Sequence, residues 1–148
     1  MEAIIFVGIQ ATGKSTFYKE HFFNSHLRIS KDLLNTRNKE QRFLDTCFSV
    51  QQPFVIDNTN PTKEDRAIFI TKAKENRYKV IGYYFKSSIN ESIKRNGLRK
   101  GKEKIPEIGI KGTFNKLEIP SFEEGFDTLN YVEISDGKFV IKEWEDEV

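Results

Sequence analysis

The chain has 148 residues, 37% of them apolar and 31% charged, a size and balance that suit one globular core and exclude a disordered segment. Its 24 basic and 22 acidic residues leave a formal charge of +2, too even for nucleic-acid binding to follow from the total, so any anion site must come from local clustering. No apolar run approaches the length of a signal peptide or a membrane span, which predicts a soluble, cytoplasmic protein, and Cys47 with only His21 and His26 leaves no internal disulfide and argues against structural zinc.

In chain order, residues 3–7 (AIIFV) form a continuous apolar run ending at Gly8, the pattern of a strand buried on both faces. A glycine loop follows, then KSTFYKEHFFN, where Phe17, Tyr18, His21 and Phe22 recur at helical spacing. HLRIS reads as a short second strand. KDLLNTRNKEQRFLDTCFSVQQ reads as helical over most of its length, with Phe43, Leu44, Cys47 and Phe48 on one face and Cys47 expected in the core. PFVID is a third strand, opened by Pro53 where the missing N–H costs least. In NPTKEDRAIFITKAKENR, Asn60 is the expected N-cap of a helix and Pro61 its first residue. KVIGYYF is a fourth strand and SINESIKRNGLR a helix; YVEI, a turn at Asp136-Gly137 and KFVIKEW then read as a closing hairpin. Strands alternating with helices predict an α/β architecture, a parallel sheet with helices on both faces, and residues 1–148 read as a single domain without a linker. Residues 94–104 (KRNGLRKGKEK) hold six basic residues and one acid, a mobile cationic segment.

The first residues of GIQATGKST fit G-x-x-x-x-G-K-[ST], directly after a buried strand and opening an amphipathic helix. In that setting the backbone at Gly8, Gln10, Ala11, Thr12 and Gly13 curls around a phosphate at a helix N-terminus. Lys14 is expected to bridge the β- and γ-phosphates, and Ser15 to hold Mg2+, with Thr16 beside it. Asp57 closes the apolar strand FVID, so its carboxylate either reaches the metal at the strand's carboxyl edge or caps the turn DNTNP. Asp32 follows the second strand; it either takes the proton of an attacking hydroxyl or is a dipole-stabilised acid at a helix start. Arg95 and Arg99, at i and i+4, are either a solvated helix face or fork-shaped cations of a lid, residues 94–106, that closes over phosphates. IPSFEEGFD reads as a structural turn, with Phe122 and Phe126 inward and Gly125 at positive φ.

With these pieces in order the chain resembles the kinase domain of polynucleotide 5′-hydroxyl kinases, a branch of the P-loop kinases, from residue 2 to residue 134. The resemblance rests on GIQATGKST, RISKDLL, IDNTNP, and KRNGLRKGKEKIP followed by LEIPSFEEGFD. It implies a P-loop NTPase fold with a five-stranded parallel sheet ordered 2-3-1-4-5, a small basic lid and a C-terminal hairpin extension. It also implies ATP and Mg2+ as cofactors, handled by Lys14, Ser15 and Thr16, with Asp32 as general base, Arg99 as the lid arginine assisted by Arg95, and Asp57 near metal and acceptor. The implied acceptor is the 5′-hydroxyl of an RNA or DNA end, with no membrane and no obligate protein partner. Where some members carry an arginine three residues after the catalytic aspartate, this chain has Asn35, and Arg37 two residues later. A kinase of small metabolites or nucleotides and a slow ATP-binding switch remain the alternatives.

Overall fold

A computed structural model of the chain describes residues 1–145, apart from the side chain of Lys102. Six strands, β1 (Glu2–Val7), β2 (Leu27–Ile29), β3 (Phe54–Ile56), β4 (Lys79–Phe85), β5 (Thr128–Ser135) and β6 (Lys138–Glu143), form one sheet in the order β2-β3-β1-β4-β5-β6. The first five run parallel. Their order is the expected 2-3-1-4-5, with the first arm of the hairpin as the fifth strand. The second arm stays in the plane of the sheet and adds a sixth, antiparallel strand instead of projecting from it.

Alternation along β1 explains the two-sided core. Ile4 and Phe6 face one way, into a cluster with Phe17 and Phe22 beyond them; Ala3, Ile5 and Val7 face the other, toward Leu44, Cys47, Phe69 and Ala73. The first cluster is aromatic: Phe6 lies edge-on to Phe85 at 5.0 Å and to Phe17 at 5.8 Å between ring centroids. Truncating such a fully buried ring costs about 3–5 kcal/mol. Cys47 is in the core as expected, and burial pushes its thiol up to about 11. Phe43, expected on the same face, is instead exposed.

The helices depart from the sequence pattern where side chains give the backbone another partner. The long second helical segment divides into α2 (Lys31–Leu34) and α3 (Arg37–Val50) after α1 (Lys14–His21). Asn35 adopts a left-handed conformation between them, and Thr36 restarts the helix by accepting a hydrogen bond from the Lys39 amide. In α4 (Lys63–Glu75) the N-cap is Thr62, not Asn60. Asn60 has positive φ and spends its side-chain amide on the Phe6 carbonyl, 2.7 Å away, tying the turn after β3 to β1. Helix α5 (Ile89–Gly97) ends two residues before Arg99, and α6 (Glu107–Lys116) occupies a stretch whose two glycines gave no helical signal. Among the described residues no helix is long and apolar enough to cross a membrane.

Candidate active site

The loop between β1 and α1 is braced from three sides. The Gly8 amide donates to the Thr59 carbonyl at 3.0 Å, the Ile9 amide to Ser87 Oγ at 3.1 Å, and the Gln10 side chain to Thr113 Oγ1 on α6 at 3.0 Å. Within the loop, Thr12 Oγ1 donates to the Ile9 carbonyl. Ala11 and Gly13 take positive φ, 60° and 91°, and a Cβ on Gly13 would stand 2.8 Å from the ring of Phe139, so only glycine fits there. The curl ends at the start of α1, whose first amides have no intrahelical acceptors and whose first turn holds no acid. Gly8 to Thr16 therefore form a hydrogen-bond-braced cradle at a helix N-terminus, a geometry suited to an anion.

Lys14 turns into this cradle, its ammonium donating to the carbonyls of Gly8 at 2.9 Å and Ile9 at 2.7 Å. Enclosure of the ammonium pulls its pKa from 10.5 down to about 8. Asp57 opposes that shift, Arg99 adds to it, and Asp32 opposes it more weakly. Asp57, Arg99 and Asp32 come from three separate segments of the chain.

Asp57, at the end of β3, is buried and accepts a hydrogen bond from Ser15 Oγ at 2.9 Å. It does not serve as the cap of its own turn; Asn58 and Asn60 hold that turn instead. A serine hydroxyl and a carboxylate in contact are hard oxygen donors of the kind magnesium takes one or two of, completing its shell with water and phosphate oxygens. Among the described residues no group of three or more His, Cys, Asp or Glu side chains forms a denser metal cage. The pair fits Mg2+ beside a bound phosphate. A third member was not singled out from the sequence: Arg28 on β2 donates to Asp57 Oδ2 at 2.8 Å and to Ser15 Oγ at 3.2 Å.

Asp32 lies exposed in the first turn of α2, at the carboxyl edge of β2. Its short helix is anchored through Asn58, whose Oδ1 accepts from the Lys31 amide at 2.8 Å and whose Nδ2 donates to Glu40 at 2.8 Å. Glu40 is fully buried and also accepts from Arg37 at 3.1 Å. Asn35, beyond Asp32, serves as the left-handed C-cap of α2.

Arg95 and Arg99 do not share one helical face, because α5 stops at Gly97. They nonetheless line one cavity of about 300 Å³, with Gly13 and Thr16 on its floor and Ile134 and Phe139 of the terminal hairpin opposite. Arg95 donates to the Ala11 carbonyl at 3.3 Å, and Arg99 to the Glu103 carbonyl at 3.2 Å. Asp32 and Asp57 are not part of that wall, so the cavity lies to the lid side of the cradle. The segment 97–104 is closed at its base by Asn96, which is buried and bonds both the N–H and the C=O of Ile105.

No protein-family model matches the chain. It is 28% identical, over 149 aligned residues and 98% of its length, to a bifunctional polynucleotide phosphatase/kinase of Schizosaccharomyces pombe. It is 28% identical, over 88% of its length, to a putative bifunctional polynucleotide phosphatase/kinase of Acanthamoeba polyphaga mimivirus. The chain spans only 36% and 33% of the length of these curated relatives. Among solved structures, a gluconokinase from Sinorhizobium meliloti 1021 superposes with a TM-score of 0.64 at 16% identity, covering 89% of this chain and 82% of that one. The sequence is similar to part of two proteins named bifunctional polynucleotide phosphatase/kinase, and the fold is that of P-loop NTPases.

Proposed function

We propose that this chain is an ATP-dependent phosphotransferase that moves the γ-phosphoryl group of ATP to a hydroxyl, the acceptor being the 5′-hydroxyl of an RNA or DNA end. One observation carries the reading: the Lys14 ammonium turns into the loop at the start of α1, and the next residue, Ser15, bonds the buried Asp57 carboxylate at 2.9 Å, so a cation and a metal-suited oxygen pair stand side by side at a helix N-terminus. The near full-length similarity to relatives named polynucleotide phosphatase/kinase supports the acceptor class.

Phosphoryl transfer asks a protein mainly for positioning and charge neutralisation. The amides of the loop from Gln10 onward and of the α1 start hold the β- and γ-phosphate oxygens, with Lys14 swinging from the loop carbonyls to them, while the Gly8 and Ile9 amides stay on Thr59 and Ser87. Asp32 accepts the proton of the acceptor hydroxyl as its oxygen bonds to the γ-phosphorus, and the bond from that phosphorus to the β,γ-bridging oxygen breaks to release ADP. Arg99 neutralises charge on the transferring group, and Arg95 supports it from its seat on Ala11. Ser15 and Asp57 would hold Mg2+, which supplies further neutralisation of the phosphate oxygens when bound. The cavity between the lid arginines and Phe139 receives the nucleoside of ATP.

The test is transfer from labelled ATP to 5′-hydroxyl oligonucleotides, nucleosides and sugars, run beside Asp32→Ala. Label should appear on oligonucleotides and fall by about 10²- to 10⁴-fold in the variant, and oligonucleotide binding should weaken as salt rises. Label confined to small molecules would move the acceptor to that class. Tight ATP binding without any transfer, and with Asp32→Ala indistinguishable from the parent, would replace the enzyme with a nucleotide-driven switch.

A further inference from the structure

A guanidinium on a three-residue strand whose last residue is fully buried has to be placed for a reason. Arg28 extends from β2 along the carboxyl edge of the sheet, its side chain 30% exposed, to an Asp57 carboxylate that is 2% exposed. Its Nε donates to Asp57 Oδ2 at 2.8 Å and its Nη2 to Ser15 Oγ at 3.2 Å, while Ser15 Oγ donates to the same Oδ2 at 2.9 Å. The three groups close a triangle. Its two oxygen-bearing corners are the pair suited to Mg2+, and its third is a cation that proteins cannot deprotonate.

The arrangement creates a conflict for a bare metal ion. A divalent cation approaching Ser15 Oγ and Asp57 Oδ2 meets a permanent positive charge bonded to both atoms, in a half-buried setting that screens poorly. A hydroxyl and a single carboxylate also leave most of an octahedral magnesium shell to be filled from elsewhere. A triphosphate in the cradle changes both terms, because it supplies negative charge and additional oxygen ligands.

We infer that Arg28 is the resident counter-cation of the Ser15–Asp57 pair, a positioning residue that admits Mg2+ only together with a bound triphosphate. This rests on the phosphotransferase reading, since it takes that pair as the metal seat. Arg28 keeps the buried carboxylate paired and the hydroxyl oriented before substrate arrives, and it denies the site to free metal. A purely structural Arg28 would neutralise Asp57 without influencing metal binding.

Mn2+ is the probe, titrated into nucleotide-free protein and followed by the loss of its free-ion paramagnetic resonance signal. The parent protein should take up little Mn2+ at millimolar concentration. Arg28→Gln should bind it at least about tenfold more tightly, and Mg2+ should raise the melting temperature of that variant while leaving the parent nearly unmoved. Arg28→Lys, which keeps the charge, should stay as resistant to Mn2+ as the parent. Equal Mn2+ affinity in the parent and Arg28→Gln, or tight Mn2+ binding by the parent alone, would overturn the inference. If Arg28→Gln fails to fold without metal, its refolding yield across a Mg2+ titration decides: metal-dependent recovery supports the inference and metal-independent failure overturns it. Because no nucleotide or acceptor is present, failure here is distinct from failure of the labelled-ATP assay.

Discussion

Lys14 turns its ammonium onto the carbonyls of Gly8 and Ile9, and that enclosure, more than any neighbouring charge, brings its pKa down to about 8. A lysine whose folded pKa lies below its unfolded value is held less willingly as a cation by the fold, so the unfolded chain binds more protons between about 8 and 10.5. Stability owed to this residue therefore rises with pH across that window and is flat below it. Phosphate binding reverses the preference, because an anion in the cradle favours the charged lysine. Nucleotide binding should accordingly take up close to one proton at about pH 9 and few at about pH 7, read as the difference in calorimetric heat between buffers of unlike ionisation enthalpy. Lys14→Met should abolish the uptake. The conformation of this loop was legible because the spacing of Gly8, Gly13 and Lys14 after a buried strand specifies a strand–loop–helix turn. Arg28 was not, since its partners Ser15 and Asp57 sit 13 and 29 residues away along the chain. Its one sequence trace is a charge between the two apolar residues, Leu27 and Ile29, of HLRIS.

At the level of elements, the segment between α5 and α6 shows how a loop acquires a fixed base. Asn96, 2% exposed, uses its side-chain amide to imitate a backbone pair, donating to the Ile105 carbonyl at 2.5 Å and accepting from the Ile105 amide at 2.8 Å. This pinches residues 97–104 into a loop, with Arg95 just before the pinch and Arg99 inside it. Asn96→Ala strands two backbone groups of Ile105 and should cost about 1–3 kcal/mol in urea denaturation. Local opening should grow with it, seen as faster tryptic cleavage after Lys100 and Lys104, while nucleotide affinity falls as Arg99 loses its seat. Sequence led to the expectation of a cationic lid here, from its basic composition, the spacing of Arg95 and Arg99 and the resemblance to a known family. It did not reveal α6, because Gly109 and Gly112 lower intrinsic helicity and α6 gains its hold by tertiary contact, through Ile110 in the core and Thr113 against Gln10. The same override moved the α4 start from Asn60 to Thr62, since the Asn60 amide had a buried carbonyl to satisfy on β1.

Across the whole molecule, periodicity located the strands well because buried parallel strands are short uninterrupted apolar runs, whereas their order was implied by the resemblance to a known family and not by the pattern itself. What ties the far segments together was less visible. The SFEEGF turn is structural, as expected: Ser121 and Glu124 form a capping box and Gly125 sits at φ 112°. Phe126 packs inward, but Phe122 is half exposed. The turn brings Glu124 to Arg66, a fully buried guanidinium on α4 that donates to both carboxylate oxygens, at 2.7 and 3.1 Å, and to the Asn60 carbonyl. Asn60 in turn holds Phe6, and Thr59 beside it holds Gly8, so a chain of polar contacts runs from the tail to the loop between β1 and α1. Removing one partner of a buried pair leaves an uncompensated charge, which costs about 3–5 kcal/mol, whereas replacing both by apolar groups of similar volume is often nearly neutral. Glu124→Ala should therefore lower the unfolding free energy by that amount, seen as a lower urea midpoint at an unchanged slope. Arg66→Met combined with Glu124→Leu should recover most of the loss, giving a double-mutant cycle with a large coupling term. If Glu124→Ala alone costs under about 1 kcal/mol, the guanidinium has found water or another acceptor, and the tail is not what holds α4 against the loop.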